Sequence, residues 1–360
     1  MTDTVMDATS SAVPAPSSLL ASRRLPRWTP LAVAVIAIGV AVGIGAGAGL
    51  SSHIQWGLIA LALFVLGNYA VTARVEGRRQ AKDKVATSLV WSAFILAVLP
   101  LYSLIETTIK KGAGVVNGTF LTHSMNNVLT IEPGGGVYHA IIGTLEQVGI
   151  AGAIATPIGI FTAIYLVEYG KGRLATVVTF FVDVMTGIPS IVSGLFILSL
   201  WFVLLGHAPH SGFPGSLALA ILMTPIVVRS TEEMLKLVPN ELREASLALG
   251  VPKWRTITKV VVPTAIGGIT TGVMLALARI AGESAPIALL VFGSNVINTN
   301  PFSGPQSSLP YYIYEQYVSG STASYSRAWG AALVLIAFVM ILNLLARAIA
   351  WWKAPKHSGR

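Results

Sequence analysis

The sequence predicts an all-α polytopic membrane protein with about eight transmembrane helices. Three observations lead to this fold class. Apolar residues make up 54% of the 360 residues and charged residues only 11%, a balance far from that of a soluble domain. The apolar residues are gathered in long segments, and one bilayer crossing needs roughly 20 of them. Most Lys and Arg residues lie between these segments, next to the predicted membrane surface.

The N-terminal part of the chain contains three predicted crossings. Residues 1–30 are expected to form a disordered cytoplasmic tail, since they are rich in Ser, Ala, Thr and Pro. Region 31–84 is predicted to hold two extra N-terminal transmembrane helices followed by a basic loop. Region 85–138 is predicted to hold a third transmembrane helix and a polar, Gly-rich external loop with room for a short helix.

The remaining crossings are expected in region 139–353, which also contains the polar loop 231–263, and residues 354–360 form a short cytoplasmic tail. Segment 175–205 is longer than one crossing requires, and Pro189 is expected to break it. A helix lying along the membrane surface would then precede the true crossing. The predicted spans in this region are about 140–168, 188–205, 214–231, 264–292 and 329–352.

The distribution of basic residues predicts the orientation. Eight crossings place both termini on the same side, and 20 of the 24 Lys and Arg residues fall on that side. Lys110, Lys111 and Arg327 fall on the other side, and Arg279 lies within a span. Because short cytoplasmic loops are enriched in Lys and Arg, both termini are expected in the cytoplasm of a multi-pass cell-membrane protein. The same clustering argues against nucleic-acid binding despite the formal charge of +9.

Several kinds of chemistry are excluded by missing residues or motifs. The chain has no Cys, so disulfides, thiolate catalysis and Cys-ligated metals are ruled out. It has neither the G-x-x-x-x-G-K-[ST] phosphate-binding motif nor the H-E-x-x-H metal motif. His123, His139, His207 and His210 are scattered, so each is expected at the surface and no metal site is predicted. No nucleophile–base pair is visible, and the chain is not expected to be an enzyme.

The polar loop 231–263 is predicted to contain a short helix. Pro239 suits the first turn of a helix, where its missing N–H has no cost. Gly250 suits the left-handed residue just beyond the helix end. Between them, a small apolar stripe is formed by Leu242, Ala245, Ser246 and Leu249. Composition alone leaves two interpretations about even: an ordinary solvated helix, or a helix that offers a face to a partner.

A second polar feature lies inside an apolar span. Arg279 and Glu283 are four residues apart and are therefore predicted to share one helix face. A charge at the centre of a membrane helix costs about 2.5 to 3.5 kcal/mol on insertion scales, so both side chains must face each other, another helix or a water-filled path. The pair fits a structural ion pair and an anion path equally well. An Arg favours phosphate or carboxylate, because its planar guanidinium donates two parallel hydrogen bonds.

The polar loop resembles the coupling loop of ABC-importer permeases, whose pattern is E-A-A-x(3)-G-x(9)-I-x-L-P. The matching residues are Glu244, Ala245, Ser246, Gly250, Val260, Val262 and Pro263. Ser246, Val260 and Val262 depart from the pattern but keep similar size. The resemblance implies a type I ABC importer permease core, whose coupling helix docks on a separate cytoplasmic ATPase.

The same resemblance implies which residues make that contact. Glu244, Ala245, Leu247 and Gly250 are expected to couple the chain to the ATPase. ATP and Mg²⁺ would then bind to the partner subunit, and this chain would bind no cofactor of its own.

A narrower resemblance comes from three further segments. Segment 279–286 reads R-I-A-G-E-S-A-P and is similar to R-A-I-G-E-T-A-P in the PstA family of phosphate permeases. Segment 186–190 reads T-G-I-P-S, which matches a stretch shared by phosphate permeases, and 225–233 resembles a third family stretch. The resemblance implies that Arg279 and Glu283 take part in phosphate passage.

The T-G-I-P-S stretch also carries a physical prediction. Pro189 lacks an N–H and would leave the carbonyl of Met185 without its helical partner. The hydroxyls of Thr186 and Ser190 could bond to a passing anion or to their own helix backbone, and the second interpretation is preferred for Ser190. Asp183 is expected to pair with a nearby cation in a structural role.

Together the resemblances imply the permease subunit of an ATP-driven inorganic phosphate importer, set in membrane lipid and forming half of the translocation path. The implied partners are a PstC-like permease subunit, two copies of a PstB-like ATPase and an extracytoplasmic PstS-like phosphate-binding protein. Two alternatives stay open. One is a permease for another oxyanion or a phosphonate, and the other is a passive channel or scaffold that uses no ATP.

Overall fold

The computed structural model describes residues 25–49 and 53–353. Most of the predicted N-terminal tail, and the whole predicted C-terminal tail, lie outside the described residues. Within them the chain forms helices, and strand pairing is limited to an isolated bridge between Phe292 and Gln306. The predicted all-α fold class is confirmed.

The helices follow one another with short connections. They are α1 (Thr29–Gly47), α2 (His53–Val75), α3 (Arg78–Gly112), α4 (Gly118–Thr122), α5 (Tyr138–Ile164), α6 (Arg173–Thr186), α7 (Ser190–Leu205), α8 (Gly212–Lys236), α9 (Asn240–Ala248), α10 (Lys253–Thr256), α11 (Val262–Ile280), α12 (Ala285–Leu290), α13 (Leu309–Val318) and α14 (Thr322–Lys353). Two π-helical turns extend this set: π1 (Tyr165–Tyr169) continues α5, and π2 (Ile257–Val261) leads into α11.

The number of membrane crossings agrees with the prediction. In the described part of the chain, seven helical segments are long and apolar enough to cross a membrane. The pair α6 and α7 forms an eighth candidate, in which the chain turns by 110° between the two helices. The break expected at Pro189 is therefore confirmed.

The chain divides into two compact units, Met1–Leu104 and Ile105–Arg360. In the first unit α1 packs along α2, and the missing side chain at Gly45 makes room for the Trp56 ring. The long helix α3 begins in the first unit and ends in the second. The domain boundaries expected from the sequence stay a prediction.

The basic loop predicted after the second crossing is mostly helical, so that prediction is wrong. α2 continues to Val75, a turn follows at Glu76 and Gly77, and α3 already begins at Arg78. Gly77 has φ +95°, a conformation that favours glycine. Lys and Arg are good helix formers, and Lys84 pairs with the Glu76 carboxylate at 3.0 Å. The basic residues therefore extend the third crossing rather than separating it from the second.

The core of the second unit is built on α5, α8 and α11. Small residues lie where these helices meet: Gly159 of α5 faces Val227 of α8, and Gly272 of α11 faces Ser230 of α8. Small residues let helix backbones approach closely, which is a main source of helix packing in a bilayer. α6 and α7 also pack on α8, so the break between them is held against the central helix.

A buried arginine holds the polar loop that follows the third crossing. The Arg327 side chain of α14 is 3% exposed and donates to the carbonyls of Thr130, Glu132 and Gly134. It also donates to the side-chain oxygen of Gln316 at 2.8 Å. Hydrogen bonds from a charged group contribute about 1.5–3 kcal/mol each. This loop, which also contains the expected short helix α4, is therefore fixed to the start of α14.

The polar loop 231–263 is shorter than predicted. α8 continues to Lys236, because Glu232 accepts hydrogen bonds from Arg229 at 2.7 Å and from Lys236 at 2.6 Å within the helix. Charged pairs three and four residues apart stabilise a helix. At the other end the loop gives way to α10 at Lys253. The first residues of the predicted loop therefore belong to a membrane helix.

The predicted span 264–292 is wrong at both ends. The crossing comprises α10, π2 and α11, from Lys253 to Ile280. Gly282 lies in the turn that follows, and Pro286 stands in the first turn of α12, where proline is tolerated. The chain therefore breaks beside the polar residues that the sequence seemed to place inside one continuous helix.

Candidate functional site

One cavity in the second unit collects all four side chains predicted for the substrate path. It has a volume of about 190 Å³ and is lined by Thr186, Ser190, Arg279 and Glu283. The rest of the wall consists of Met185, Ile188, Pro189, Leu222, Pro225, Ile226 and Ile280. The end of α6, the start of α7, the middle of α8 and the end of α11 therefore meet around one small space.

The break at Pro189 forms one side of this cavity. α6 ends at Thr186 and α7 starts at Ser190. The carbonyl of Met185 loses its i+4 helical partner at Pro189, as predicted, and accepts the N–H of Ile188 at 3.3 Å instead. The last turn of α6 tightens into a shorter-range bond, as helix ends commonly do. The break is thus made without leaving this backbone group unsatisfied.

The two hydroxyls at the break behave in the opposite way to the expectation. Thr186 Oγ1 donates to the carbonyl of Val182 at 2.9 Å and so satisfies its own helix. The Ser190 hydroxyl has no hydrogen-bond partner among the described residues, so the preferred interpretation for Ser190 is wrong. Ser190 is also the first residue of α7, which places the unpaired N–H groups of that helix end beside the cavity. Such helix ends favour anions.

Arg279 and Glu283 face the same cavity without sharing a helix. Arg279 lies in the last turn of α11, whereas Glu283 follows the end of that helix at Ile280. The predicted common helix face is therefore wrong, because the chain turns between the two residues. Across the part of the chain that the structure describes, Arg279 has neither an ion pair nor a hydrogen-bond partner. A cation at a helix C-terminus is electrostatically favoured, which helps to accommodate this charge.

The neighbouring arginine on α8 is by contrast paired. Arg229 binds the carboxylate of Asp183 on α6 and, at 2.7 Å, that of Glu232 on its own helix. The predicted pairing of Asp183 with a cation is confirmed. Glu232 also binds Lys236 at 2.6 Å, so two cations face two carboxylates. This network ties α6 to α8, and it leaves Arg279 as the cavity cation that is available to a ligand.

The arrangement suits a small oxyanion. The cavity of about 190 Å³ is smaller than the roughly 300–1,000 Å³ of pockets for organic ligands. The Arg279 guanidinium can donate two parallel hydrogen bonds, and the Ser190 hydroxyl and the first N–H groups of α7 are further donors. Glu283 places a carboxylate on the same wall, which opposes tight retention of an anion. The chemistry therefore fits transient binding.

The helix predicted in the polar loop is α9, and its end has the predicted form. Gly250 has φ +77°. Its N–H donates to the carbonyl of Leu247 at 2.9 Å, and the N–H of Val251 donates to that of Ser246 at 3.3 Å. These two bonds make up the Schellman motif, which satisfies the last carbonyls of a helix. Pro239 precedes α9 rather than occupying its first turn, a shift of one residue from the prediction.

The inner face of α9 is held by polar contacts that sequence reasoning missed. The Arg243 guanidinium donates to Glu168 of π1 at 3.0 Å and to the carbonyls of Leu235 and Val238 at 2.8 and 2.6 Å. The Arg243 and Glu168 side chains are only 15% and 7% exposed. Arg243 therefore caps the C-terminal end of α8 and joins α9 to the end of α5. The only sequence signal for this anchor was an acidic residue at the end of an apolar span.

Two further polar contacts support this anchor. Ser246 of α9 and Thr256 of α10 share a hydroxyl hydrogen bond at 2.9 Å. The Lys253 ammonium donates to the backbone carbonyl of Glu168 and lies 4.8 Å from the centre of the Tyr169 ring. α9, α10 and π1 are thus connected through charged and polar groups.

Three leucines in α9 and at its C-terminal end are exposed. Leu242, Leu247 and Leu249 are 41%, 47% and 84% exposed. The predicted apolar stripe is therefore not a buried face, because Ser246 is its only buried member. The residues predicted to couple to an ATPase, Glu244, Ala245, Leu247 and Gly250, are all exposed. With its inner face satisfied by polar groups, the helix presents its leucines outward.

The histidines in the described part of the chain form no metal site. In residues 25–49 and 53–353 there is no group of His, Asp and Glu side chains that could hold a metal ion. His139 is 2% exposed and its ring packs against Tyr312, with 5.3 Å between ring centres. The predicted surface position of His139 is therefore wrong, because the start of α5 is covered by α13. His123, His207 and His210 are exposed, as predicted.

Comparison with known proteins bears on what this fold and site represent. The family model for the binding-protein-dependent transport system inner membrane component matches residues 155–356. The phosphate transport system permease protein PstA 1 of Mycobacterium tuberculosis (strain CDC 1551 / Oshkosh) is 49% identical over 273 residues, covering 76% of this chain and 90% of that protein. The PstA protein of Mycobacterium leprae (strain TN) is 47% identical over 286 residues, covering 79% and 94%.

A solved structure shares the fold. A chain of the bacterial alginate ABC transporter, in complex with an alginate pentasaccharide-bound periplasmic protein, aligns with a TM-score of 0.53 and 15% identity. The alignment covers 75% of this chain and 94% of that one. At this identity the likeness shows the fold alone.

The chain has several candidate membrane crossings, with an exposed helix in one of the loops that connect them. Together with the family match, this defines a multi-pass membrane permease subunit of a binding-protein-dependent ABC importer. The relatives place it more narrowly. At 49% and 47% identity over most of its length, the chain belongs to the PstA family of phosphate transport system permease proteins.

Proposed function

We propose that this chain forms half of the translocation path of an ATP-driven importer of inorganic phosphate. The observation that carries the proposal is the cavity that brings Arg279, Ser190, Thr186 and Glu283 together. Its size and its donors fit a small oxyanion. The names of the relatives, which are phosphate transport system permeases, support phosphate as that oxyanion.

Each polar residue has a distinct part in this proposal. Arg279 is a transient positive site for phosphate, and the Ser190 hydroxyl adds a hydrogen bond to a phosphate oxygen. The Thr186 hydroxyl already donates to its helix, so its oxygen can only accept, which suits the O–H of a protonated phosphate. Glu283 offsets the charge of Arg279, so that the anion is released rather than trapped.

The proposed complex contains three further kinds of subunit. A PstC-like permease completes the path, two copies of a PstB-like ATPase bind ATP and Mg²⁺, and a PstS-like protein delivers phosphate from outside. The exposed leucines of α9 support docking on the ATPase, since they are left uncovered in this chain. The excess of Lys and Arg beside α9 and both termini supports their cytoplasmic placement, on the side where ATP is present.

Movement of the ATPases would reach the cavity through α9. When the ATPases close, α9 shifts, and Arg243 transmits this shift to the ends of α5 and α8 because it is bonded to both. α8 carries one wall of the cavity at Pro225 and Ile226. The path then switches from inward to outward opening.

The decisive experiment measures phosphate uptake by the assembled complex in proteoliposomes supplied with its binding protein. Arg279→Ala should abolish uptake while the complex still assembles and still hydrolyses ATP. Arg173→Ala, which removes an exposed arginine of α6 outside the cavity, serves as the matched control and should transport normally. Undiminished uptake by Arg279→Ala would refute the role of this residue. Uptake of another oxyanion in preference to phosphate would refute the substrate.

A further inference from the structure

The first unit contains a groove that the proposed transport path does not use. It lies between α1, α2 and α3 and has a volume of about 690 Å³. One end is lined by Arg27, Asn68 and Lys84, and the other by Ile38, Gly57 and Ile95. α1 packs closely along α2, whereas within the described residues α3 makes no comparable backbone approach to either helix. The groove is the space between α3 and the α1–α2 pair.

The groove changes from charged to apolar along its length. On α2 and on α3, eleven positions separate the lining residue at the charged end from the one at the apolar end, and Arg27 lies two residues before α1. At 1.5 Å per residue this is about 16 Å. Half of the hydrocarbon core of a bilayer is about 15 Å thick. The wall between the two ends includes Leu31, Ala34, Leu61, Phe64 and Trp91. The groove therefore matches one bilayer leaflet in length and in polarity.

The polar groups inside the groove already have partners. The buried amide of Asn68 donates to Ser88 Oγ at 3.1 Å, and the Ser92 hydroxyl donates to the carbonyl of Ser88 at 2.6 Å. An extended peptide in this space would leave its own N–H and C=O groups unsatisfied, which is costly in a bilayer. A hydrocarbon chain has no such groups. The interior is thus suited to an acyl chain.

The charged end carries a net positive charge. Arg27 is exposed and has no acidic partner among the described residues. Lys84 is 33% exposed and lies 3.0 Å from the Glu76 carboxylate, which also accepts the N–H of Leu25 at 2.6 Å. This end therefore holds two cations, Arg27 and Lys84, and one carboxylate. This end is complementary to a single phosphate.

From these observations we infer that the groove binds one anionic phospholipid, with its phosphate at Arg27 and Lys84 and one acyl chain along the apolar wall. The lipid closes the seam between α3 and the α1–α2 pair, which direct helix packing leaves open. This site is independent of the phosphate path, because every residue that lines it belongs to the first unit.

The test compares two lipids with identical acyl chains on the purified full chain. Binding of phosphatidylglycerol and of phosphatidylcholine is measured by native mass spectrometry. Each basic residue near an anionic head group strengthens binding by about five-fold, whereas the choline ammonium of phosphatidylcholine offsets the charge of its phosphate. Two basic residues should therefore favour phosphatidylglycerol by about 25-fold. Arg27→Gln should lower phosphatidylglycerol affinity by about five-fold and leave phosphatidylcholine unchanged. Lys82→Gln is the matched control, since this residue of the same basic stretch is exposed and does not line the groove.

A second variant tests the apolar wall. Ala34→Trp fills the groove without changing any charge, and it should reduce binding of both lipids. An excess of inorganic phosphate should not displace phosphatidylglycerol, because the acyl chain supplies much of the affinity. Equal affinity for the two lipids, or an equal loss in Lys82→Gln and Arg27→Gln, would overturn the proposal. Displacement by inorganic phosphate would do the same, since it would reveal a site for free anions only.

Discussion

The change Arg243→Met tests how α9 is attached to the membrane domain. Methionine keeps much of the aliphatic stem and removes the guanidinium. The variant therefore loses the ion pair with Glu168 and the two hydrogen bonds to the end of α8, while side-chain packing is largely kept. The Glu168 carboxylate, whose side chain is 7% exposed, is left without this partner.

The expected loss follows from these contacts. A hydrogen bond from a charged group contributes about 1.5–3 kcal/mol, and breaking a buried ion pair costs about 3–5 kcal/mol. The Arg243 side chain keeps 15% of its exposure, so water replaces part of the loss and the lower limit applies. We expect α9 to be held less firmly by about 3 kcal/mol, which is roughly a 100-fold increase in the detached population.

Hydrogen exchange of the purified chain measures that population directly. The amides of α9 should exchange about 100-fold faster in Arg243→Met, while those of α5 keep their protection. Arg255→Met is the control. Its guanidinium stacks on the exposed Trp254 ring at 5.1 Å, a contact of about 0.5–1 kcal/mol, so exchange in α9 should change by less than ten-fold. Adding Glu168→Gln to Arg243→Met should restore part of the protection. Unchanged exchange of α9 in Arg243→Met would refute the anchor.

Three further predictions concern single contacts. Gly250→Ala places a Cβ on a backbone with φ +77°, which destabilises the end of α9 by about 1–2 kcal/mol. The ratio of phosphate imported to ATP hydrolysed should therefore fall. A normal ratio would contradict docking through α9. Gly143→Ala sets a Cβ against the carbonyl oxygen of Ser307 and should lower stability by about 1–3 kcal/mol in thermal unfolding. Gly149→Ala is the control, because it has open space around it and should melt like the parent. Identical melting of both variants would contradict close packing of α5 against Ser307. Asp183→Asn removes a partly exposed ion pair worth about 0.2–1 kcal/mol, so the amides of α6 should exchange up to about five-fold faster, and slower exchange would contradict the tie to α8.

The number of crossings could be predicted because the bilayer imposes it. A crossing needs an uninterrupted apolar segment, and hydropathy detects such segments directly. The ends of the crossings were harder to predict. Charged residues there form ion pairs within or beside their helices, as Glu232 does with Lys236 and Lys84 with Glu76. The helices therefore continue into stretches whose composition is typical of loops.

The members of the cavity were predictable, but their geometry was not. Thr186, Ser190, Arg279 and Glu283 were identified from segment patterns, and they line one space. The spacing of Arg279 and Glu283 indicated a shared helix face, yet the turn at Gly282 ends the helix between them. Local spacing could not show this, because a glycine is also tolerated inside membrane helices.

The anchor of α9 depends on tertiary contacts that no local pattern records. Arg243 and Glu168 are 75 residues apart in the chain, and each belongs to a different segment. A charged residue in a polar loop is usually solvated, so Arg243 gave no sign that it would be buried. The pairing arises only when the ends of α5 and α8 come together beneath α9.

The outward leucines of α9 have a consequence for how a cell must make this protein. Leu242, Leu247 and Leu249 are exposed in this chain, and apolar side chains that no partner covers favour aggregation. Copies synthesised in excess of the proposed ATPase would therefore aggregate or be bound by proteases and chaperones. We therefore expect cells to synthesise this permease and the proposed ATPase in matched amounts and to assemble them soon after membrane insertion, so that unassembled permease does not accumulate.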